Sequence, residues 1–328
     1  MEYYLGIDAG GSKTSAVITD RTGSIVGKGL SGCGNHQLGV ELARSNIDEA
    51  IQQALHSSDL NRTDITYALF GLAGADREAD YVILRPMIKE LGFAHYDIAC
   101  DTVIGLRAGT RQPYGVVLIC GTGTNCFGIN PQGKELQCGG FGYAFGDFGG
   151  GSELAVEVLR SVIRSWEGRE ESTLLTAAVL DMLGYTSVDT LFHDFLDEGK
   201  RIPKDLTKLL FPAADQGDLV ARRILRKQGT ELGLSARAVI NRLQMQDILL
   251  DVVLVGSVLT RNDGKYMIPY IQEQLTDGCT LRVLTMEPVA GAILLAMEND
   301  GLIIKDEVYE QLELQLSIEG KNSACVKI

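Results

Sequence analysis

The feature that most constrains the fold is a pattern of strands and turns that occurs twice. Residues 3–30 predict a strand, a glycine-rich turn, a strand, a turn and a third strand, and residues 115–138 predict the same order. A shift of 110 positions aligns Gly11 with Gly121 without a gap. A repeat on this scale indicates two similar domains that face each other.

The rest of the chain alternates short apolar runs with helical patterns. Apolar residues at helical spacing occur in residues 40–55, 152–163, 173–183, 218–243 and from Pro288 to Met297. Further short strands are predicted at TYALFGL, YDIAC, DVVLV and TLRVL. No long linker separates the two halves, so we expect them to share a cleft.

Charge and cysteine content exclude several classes of protein. The 328 residues carry a formal net charge of -13, which argues against nucleic acid or a membrane surface as a partner. The seven cysteines are odd in number and form no CxxC pair, so a disulfide framework or a zinc knuckle is not expected. The chain opens without a signal peptide and has no apolar run long enough to span a bilayer. We expect a cytoplasmic protein that forms a homodimer.

Two glycine-rich turns occupy equivalent positions in the repeat. The glycines allow a phosphate to approach the backbone closely, and the amides can point at the anion. Asp8 ends the first strand and is well placed to hold Mg²⁺ through water. Neither turn matches a Walker A loop or a Rossmann fingerprint. The predicted ATP-binding residues of these turns are Gly10, Gly11, Ser12, Lys13, Thr14, Gly121, Thr122 and Gly123.

Other polar and glycine-rich segments suggest a sugar site. Asp101 follows the run YDIAC, where a carboxylate is either a helix N-cap or a general base. Residues 139–151 are dense in glycine and include Phe141, Tyr143 and Phe145 close to Asp147, a combination that suits a sugar ring. Asn35 can exchange hydrogen bonds with vicinal hydroxyls, whereas a lone histidine such as His36 is more often structural.

Taken in order, these segments resemble the BadF/BadG/BcrA/BcrD-type ATPase family, and within it the N-acetylglucosamine kinases. The matching segments are GIDAGGSKT, GNHQLG, FGLAGAD, CDTVIG, GTGTNC, CGGFGYAFGDFGGGS, ADQGD, VGSV and EPVAGA. The resemblance runs from Tyr4 to about Met297.

The resemblance implies an α/β fold of two RNase H-like (actin-like ATPase) domains around a central cleft. The expected domains are residues 1–113, completed by a helix at 288–300, and residues 114–287 with a helical insertion. No structure is assigned to the tail at 305–328.

The resemblance also implies roles for individual residues. Asp101 matches the family's catalytic base, and ATP and Mg²⁺ are the implied cofactors. Ala214, Gly256 and Ser257 match positions on the nucleotide side. The expected contacts of the amino sugar are Asn35, His36, Thr124, Asn125, Gly140, Phe141, Gly142 and Asp147.

Two departures from the family pattern leave the sugar's 2-substituent open. Gln37 stands where the animal kinases carry a tryptophan, and Phe148 stands where an acidic residue is common. The expected activity is therefore ATP-dependent phosphorylation of an amino sugar, with N-acetylglucosamine first and glucosamine or N-acetylmuramic acid as alternatives.

Two other functions compete with the kinase. The first is an ATPase that activates a 2-hydroxyacyl-CoA dehydratase, although the cysteines here do not form the cluster-binding pair of such dimers. The second is a sugar sensor without catalytic activity, although Asp101 and the lack of a DNA-binding domain argue against it.

Overall fold

The structure, a computed structural model, describes residues 1–318 and the backbone of 325–327. The chain divides into two compact units. Unit 1 is Met1–Val117 with Arg282–Cys325, and unit 2 is Leu118–Leu281 with Val326–Ile328. These divisions lie a few residues from the expected domain boundaries at 113/114 and 287/288.

The first sheet has five strands in the order β3-β2-β1-β4-β5. Its strands are β1 (Tyr3–Ala9), β2 (Thr14–Asp20), β3 (Ile25–Ser31), β4 (Ile65–Leu72) and β5 (Tyr96–Cys100). The first three form an antiparallel meander, and β1, β4 and β5 run parallel. The carboxyl ends of these three parallel strands therefore meet at one edge of the sheet.

Helices cover both faces of this sheet. They are α1 (Val40–Ser58), α2 (Glu78–Lys89), α3 (Asp101–Gly109) and α10 (Val289–Asn299). The stripe of Ala43, Ile47 and Ile51 on α1 is fully buried, as its spacing predicts. On the other face, a Cβ on Gly6 of β1 would lie 2.7 Å from the Ile293 side chain. Glycine thus lets α10 pack directly on the strand.

The second sheet has the order β11-β10-β9-β6-β7-β8. Its strands are β6 (Gly115–Cys120), β7 (Thr124–Ile129), β8 (Glu135–Cys138), β9 (Leu250–Val255), β10 (Cys279–Val283) and β11 (Cys325–Lys327). Read from β8 to β10, the strand order repeats that of the first sheet. The repeat in the sequence is therefore a repeat in topology, and the prediction of two α/β domains with the same strand order is confirmed.

Unit 2 is otherwise helical. Its helices are α4 (Gly151–Trp166), α5 (Leu175–Leu183), α6 (Val188–Glu198), α7 (Leu210–Asp215), α8 (Leu219–Arg242) and α9 (Ile268–Gln272). Asp218 caps the long helix α8 by accepting from the Ala221 amide at 2.8 Å. Gly229 on α8 lies so close to the Met267 backbone that a Cβ would meet its carbonyl oxygen at 2.5 Å.

The tail that was left without a predicted structure contains α11 (Asp306–Leu316). Residues 319–324 and 328 of that tail lie outside the described residues. Among the described residues, no helix combines the length and the apolar character that crossing a membrane requires.

Candidate active site

Carboxylates gather at the edge of the first sheet where the parallel strands end. Asp8 lies near the end of β1, and Asp101 is the first residue of α3, directly after β5. Asp76 lies in the connection after β4, and Glu287 lies just before α10. The topology thus brings together in unit 1 four acidic residues that are far apart in the sequence.

The pKa of Asp8 reflects its burial and the negative charges that surround it at this edge of the sheet. Burial, together with the neighbouring charges of Asp101 and Glu287, raises the pKa of Asp8 from 3.8 to about 7, while Lys13 opposes this rise. A carboxylate in this position gains from a nearby cation. Asp8 is therefore a chemically suitable residue to face a metal.

Asp101 is held by the residue that precedes it. The Cys100 thiol lies 3.2 Å from Oδ1 of Asp101 and 3.2 Å from Oδ1 of Asp76. Burial raises the pKa of Asp101, and the hydrogen bond from Cys100 lowers it in part. Cys100 itself occupies the N-cap position of α3. Asp101 is a partly buried carboxylate with few internal partners, as a proton-accepting group requires.

The first glycine turn leaves open space at its tip. A Cβ built on Gly11 meets no atom within 4 Å, and among the described residues the amides of Gly11 and Ser12 donate no hydrogen bond. Ser12 and Lys13 are exposed. Thr14 differs from the expectation, because it is fully buried and its hydroxyl donates to the Gly32 carbonyl at 2.9 Å. In this structure Thr14 anchors the turn.

Asn35 and His36 lie beside the same unit's acidic edge but have different environments. The Asn35 side chain accepts from the Gln37 amide at 2.8 Å and lies close to Gly74 in the connection after β4. His36 is buried, and its Nε2 lies 3.6 Å from Oδ1 of Asp80 on α2. His36 thus fastens its turn to α2, which agrees with the structural alternative raised from the sequence.

The second glycine turn is docked on the start of α4. The Gly151 amide donates to the Gly121 carbonyl at 2.8 Å, and the Ser152 amide donates to the Thr122 carbonyl at 3.1 Å. A Cβ on Gly121 or Gly123 again meets no atom within 4 Å. The turn is held by hydrogen bonds to the start of α4 and leaves open space at Gly121 and Gly123, as phosphate binding requires.

Asp147 organises the glycine-rich segment. Its Oδ2 accepts from the Gly140 amide at 3.0 Å and from the Gly142 amide at 2.6 Å. Both glycines have positive φ, at 90° and 100°, which other residues adopt only with strain. Thr124, Asn125, Gly140 and Asp147 line one small cavity within unit 2. Four predicted sugar contacts are therefore neighbours.

The aromatic residues of this segment do not form a packed wall. Phe141, Tyr143 and Phe145 are 48%, 64% and 80% exposed. The segment owes its shape to glycine conformations and the Asp147 clamp. Phe148 lines the cavity instead, with the Lys227 ammonium 4.1 Å from its ring centroid.

The predicted nucleotide-side residues also lie in unit 2. Gly256 follows β9 with φ at 106°, and a Cβ there would lie 2.3 Å from the Cys120 carbonyl oxygen. Ser257 beside it is exposed, whereas Ala214 on α7 is fully buried. Ala214 differs from the expectation, because the whole residue is enclosed and its carbonyl accepts from Nε of Arg222 at 2.9 Å.

The described residues fit Mg²⁺ in one specific way. No group of three or more histidine, cysteine or acidic side chains among them is arranged to hold a metal directly. Mg²⁺ commonly keeps several waters and binds through one or two carboxylates and substrate phosphates. Asp8, with its crowded carboxylate, suits that indirect mode.

Two α/β units with the same strand order, each with an open glycine turn, define a protein of the two-domain phosphotransferase and ATPase class. A sequence profile of the BadF/BadG/BcrA/BcrD ATPase family matches residues 5–296. The chain belongs to this family.

Individual relatives extend the comparison. An N-acetylmuramic acid/N-acetylglucosamine kinase from Clostridium acetobutylicum is 30% identical, over 90% of this chain and 98% of its own. An N-acetyl-D-glucosamine kinase from Dictyostelium discoideum is 29% identical, over 91% and 98%. The solved ROK hexokinase from Thermus thermophilus is similar in fold, with a TM-score of 0.58 and 17% identity over 90% and 99%.

Several residues of these two regions could not be found from the sequence. Cys100, Asp76 and Glu287 join the Asp8 and Asp101 group only through the sheet topology. Gln228 and Glu231 on α8 line the cavity beside Asn125, more than 100 positions away. Cys100, Asp76 and Glu287 lie in the matching segments CDTVIG, FGLAGAD and EPVAGA, but no role was predicted for them. Gln228 and Glu231 lie in an ordinary helical pattern.

Proposed function

We propose that this chain is an ATP-dependent kinase that transfers the γ-phosphoryl group to the 6-hydroxyl of an amino sugar, with N-acetylglucosamine as the preferred acceptor. Asp101 is the general base that takes the proton of the attacking hydroxyl. Asn35, Thr124, Asn125 and Asp147 bind the sugar.

The observation that carries the proposal is the environment of Asp101. Its carboxylate stands at the end of β5, partly buried, with the Cys100 thiol at 3.2 Å as its hydrogen-bond donor. Burial raises its pKa, which makes the ionised form a stronger base than an exposed aspartate. A phosphoryl acceptor needs such a group to orient the hydroxyl and receive its proton.

The two glycine turns supply neutral recognition of phosphate oxygens. The open tip at Gly11 and its free amides support binding in unit 1, and the open tip at Gly121 supports it in unit 2. Bound Mg²⁺ would neutralise charge on the phosphates, and Asp8 would hold it through water. Lys13, at the exposed tip of the first turn, adds positive charge beside Asp8.

The relatives support the choice of acceptor. The two sequence relatives described above are named for N-acetylglucosamine, and one of them is named for N-acetylmuramic acid as well. Both are covered over nearly their full length, so the resemblance includes the segments around Asp101 and Asp147.

An acceptor panel tests the proposal directly. ADP release would be followed with N-acetylglucosamine, N-acetylmuramic acid, glucosamine and glucose, and ³¹P NMR would locate the phosphate on the product. We expect the highest kcat/KM with N-acetylglucosamine, a 6-phosphate product and slow ATP hydrolysis without sugar. Rapid ATP hydrolysis that no sugar stimulates would refute the kinase.

A further inference from the structure

A small polar cavity in unit 2 extends past the predicted sugar contacts to helix α8. Its volume is about 30 Å³, and its lining includes Asn125, Asp147 and Phe148 on one side. Gln228 and Glu231 line it from α8. A space of this size holds a water or a small substituent, and a sugar ring is too large for it.

The cavity contains two buried hydrogen-bond acceptors that lack partners. Among the described residues, neither Oδ1 of Asn125 nor Oε1 of Gln228 has a hydrogen-bond partner. Gln228 is 1% exposed, and its Nε2 lies 3.4 Å from the Cys120 sulfur. Leaving a buried acceptor unpaired is costly, so the cavity favours a ligand group that donates hydrogen bonds.

Glu231 is a third polar group at the cavity, and it strengthens the preference for a ligand group that donates hydrogen bonds. Glu231 lies one helical turn after Gln228, so the two side chains share a face of α8. Among the residues that the structure describes, Glu231 forms no ion pair within 4.0 Å, and it lies at the same cavity. Amide oxygens and a carboxylate together attract N–H groups and repel an anionic substituent.

We infer that Gln228 and Glu231 form the subsite that reads the nitrogen substituent of the amino sugar, accepting hydrogen bonds from its N–H. This inference rests on the proposed function and adds two specificity-determining residues to it. An acetamido group and a free ammonium group share this donor chemistry, whereas 2-deoxyglucose carries only hydrogen at that carbon and has no donor there.

The test compares acceptor selectivity in substituted proteins. Gln228→Met keeps the volume and removes the amide. We expect the ratio of kcat/KM for the amino sugar to kcat/KM for 2-deoxyglucose to fall about tenfold or more, the usual effect of losing a hydrogen bond to a buried group. Gln52→Met, on the exposed face of α1, should leave the ratio unchanged.

Glu231→Leu is the second variant, because Glu231 is only half-buried and its replacement does not disturb the core. It should lower the same ratio. A lower ratio for glucosamine alone, or for both glucosamine and N-acetylglucosamine, supports the subsite. The pattern identifies the nitrogen group that the subsite binds.

An unchanged ratio in both variants, or an equal loss of kcat/KM for 2-deoxyglucose and the amino sugars, would overturn the inference while the proposed kinase activity stands. If the wild-type protein phosphorylates none of the sugars, the proposed function itself fails.

Discussion

The two glycine turns share a position in the repeat and differ in what surrounds them. A Cβ would project into open space at both Gly11 and Gly121. The first turn follows Asp8 and contains Lys13, and the charges of Asp101 and Glu287 act on Asp8. The second turn, Gly121 to Asn125, contains no charged residue and leads to a cavity whose acceptors include side-chain amides.

This difference suggests how a duplicated unit acquires two tasks. The backbone geometry that suits a phosphate is retained in both copies, because it depends on glycine and on main-chain amides. The side chains have diverged, so that the turn of unit 1 lies among groups for proton and metal chemistry, and the turn of unit 2 lies beside groups for sugar recognition. Each prediction below tests one side of this division.

The largest expected effect concerns the stability of unit 1. The pKa of Asp8 is about 7 in the fold against 3.8 as its ordinary value. As pH rises between these values, the unfolded chain loses a proton that the folded chain retains, so the free energy of unfolding falls. The decrease due to Asp8 is on the order of a few kcal/mol.

Urea denaturation at about pH 5 and about pH 7.5 measures this decrease. Asp8→Asn should reduce the difference between the two pH values, and Asp97→Asn, at an exposed site of β5, should not. Equal pH dependence in wild type and Asp8→Asn would show that Asp8 is not destabilised by its neighbours.

A smaller effect is expected for the neutral turn. Gly121→Ala adds a methyl group where the protein itself offers no obstacle, so stability should be unchanged. If phosphate occupies that space, ATP affinity measured by calorimetry should fall about tenfold, equivalent to about 1.4 kcal/mol. Normal affinity would mean that the turn has no contact with ATP.

Gly256→Ala is the contrasting variant. Its φ of 106° and the Cys120 carbonyl 2.3 Å from the added Cβ should lower the melting temperature.

The smallest effect is expected at Cys100. Its thiol hydrogen bond lowers the pKa of Asp101, so Cys100→Ala should raise that pKa and shift the acid limb of kcat/KM to higher pH. Cys100→Ser, which keeps a hydrogen-bond donor at that position, should restore most of the profile. If the acid limb of the kcat/KM profile lies at the same pH in wild type and Cys100→Ala, Cys100 does not influence the protonation of Asp101.

The sequence predicted the features that are local in the chain. The strand–turn–strand repeat, the buried stripe of α1 and the glycine turns all follow from spacing and glycine content. The helices α2, α6, α7, α9 and α11 were not predicted, and Pro86 inside α2 partly hides its pattern. The expected homodimer stays a prediction that light scattering can check.

Long-range contacts account for what the sequence could not predict at the site. Cys100 looks like the last apolar residue of a strand, and only the fold places Asp76 next to its thiol. Gln228 lies within an ordinary amphipathic helix, and only the packing of α8 beside β7 makes it part of a cavity. Thr14 resembled a phosphate ligand by position, but packing against Gly32 turns its hydroxyl inward.

The central claim is that unit 1 performs the proton chemistry through Asp101. The most direct test measures kcat for the best acceptor in Asp101→Asn, with Asp97→Asn as the control on the preceding strand. The account predicts that kcat falls about 10²- to 10⁴-fold in Asp101→Asn, while calorimetry shows ATP still bound and Asp97→Asn remains normal. A kcat near the wild-type value in Asp101→Asn would contradict it.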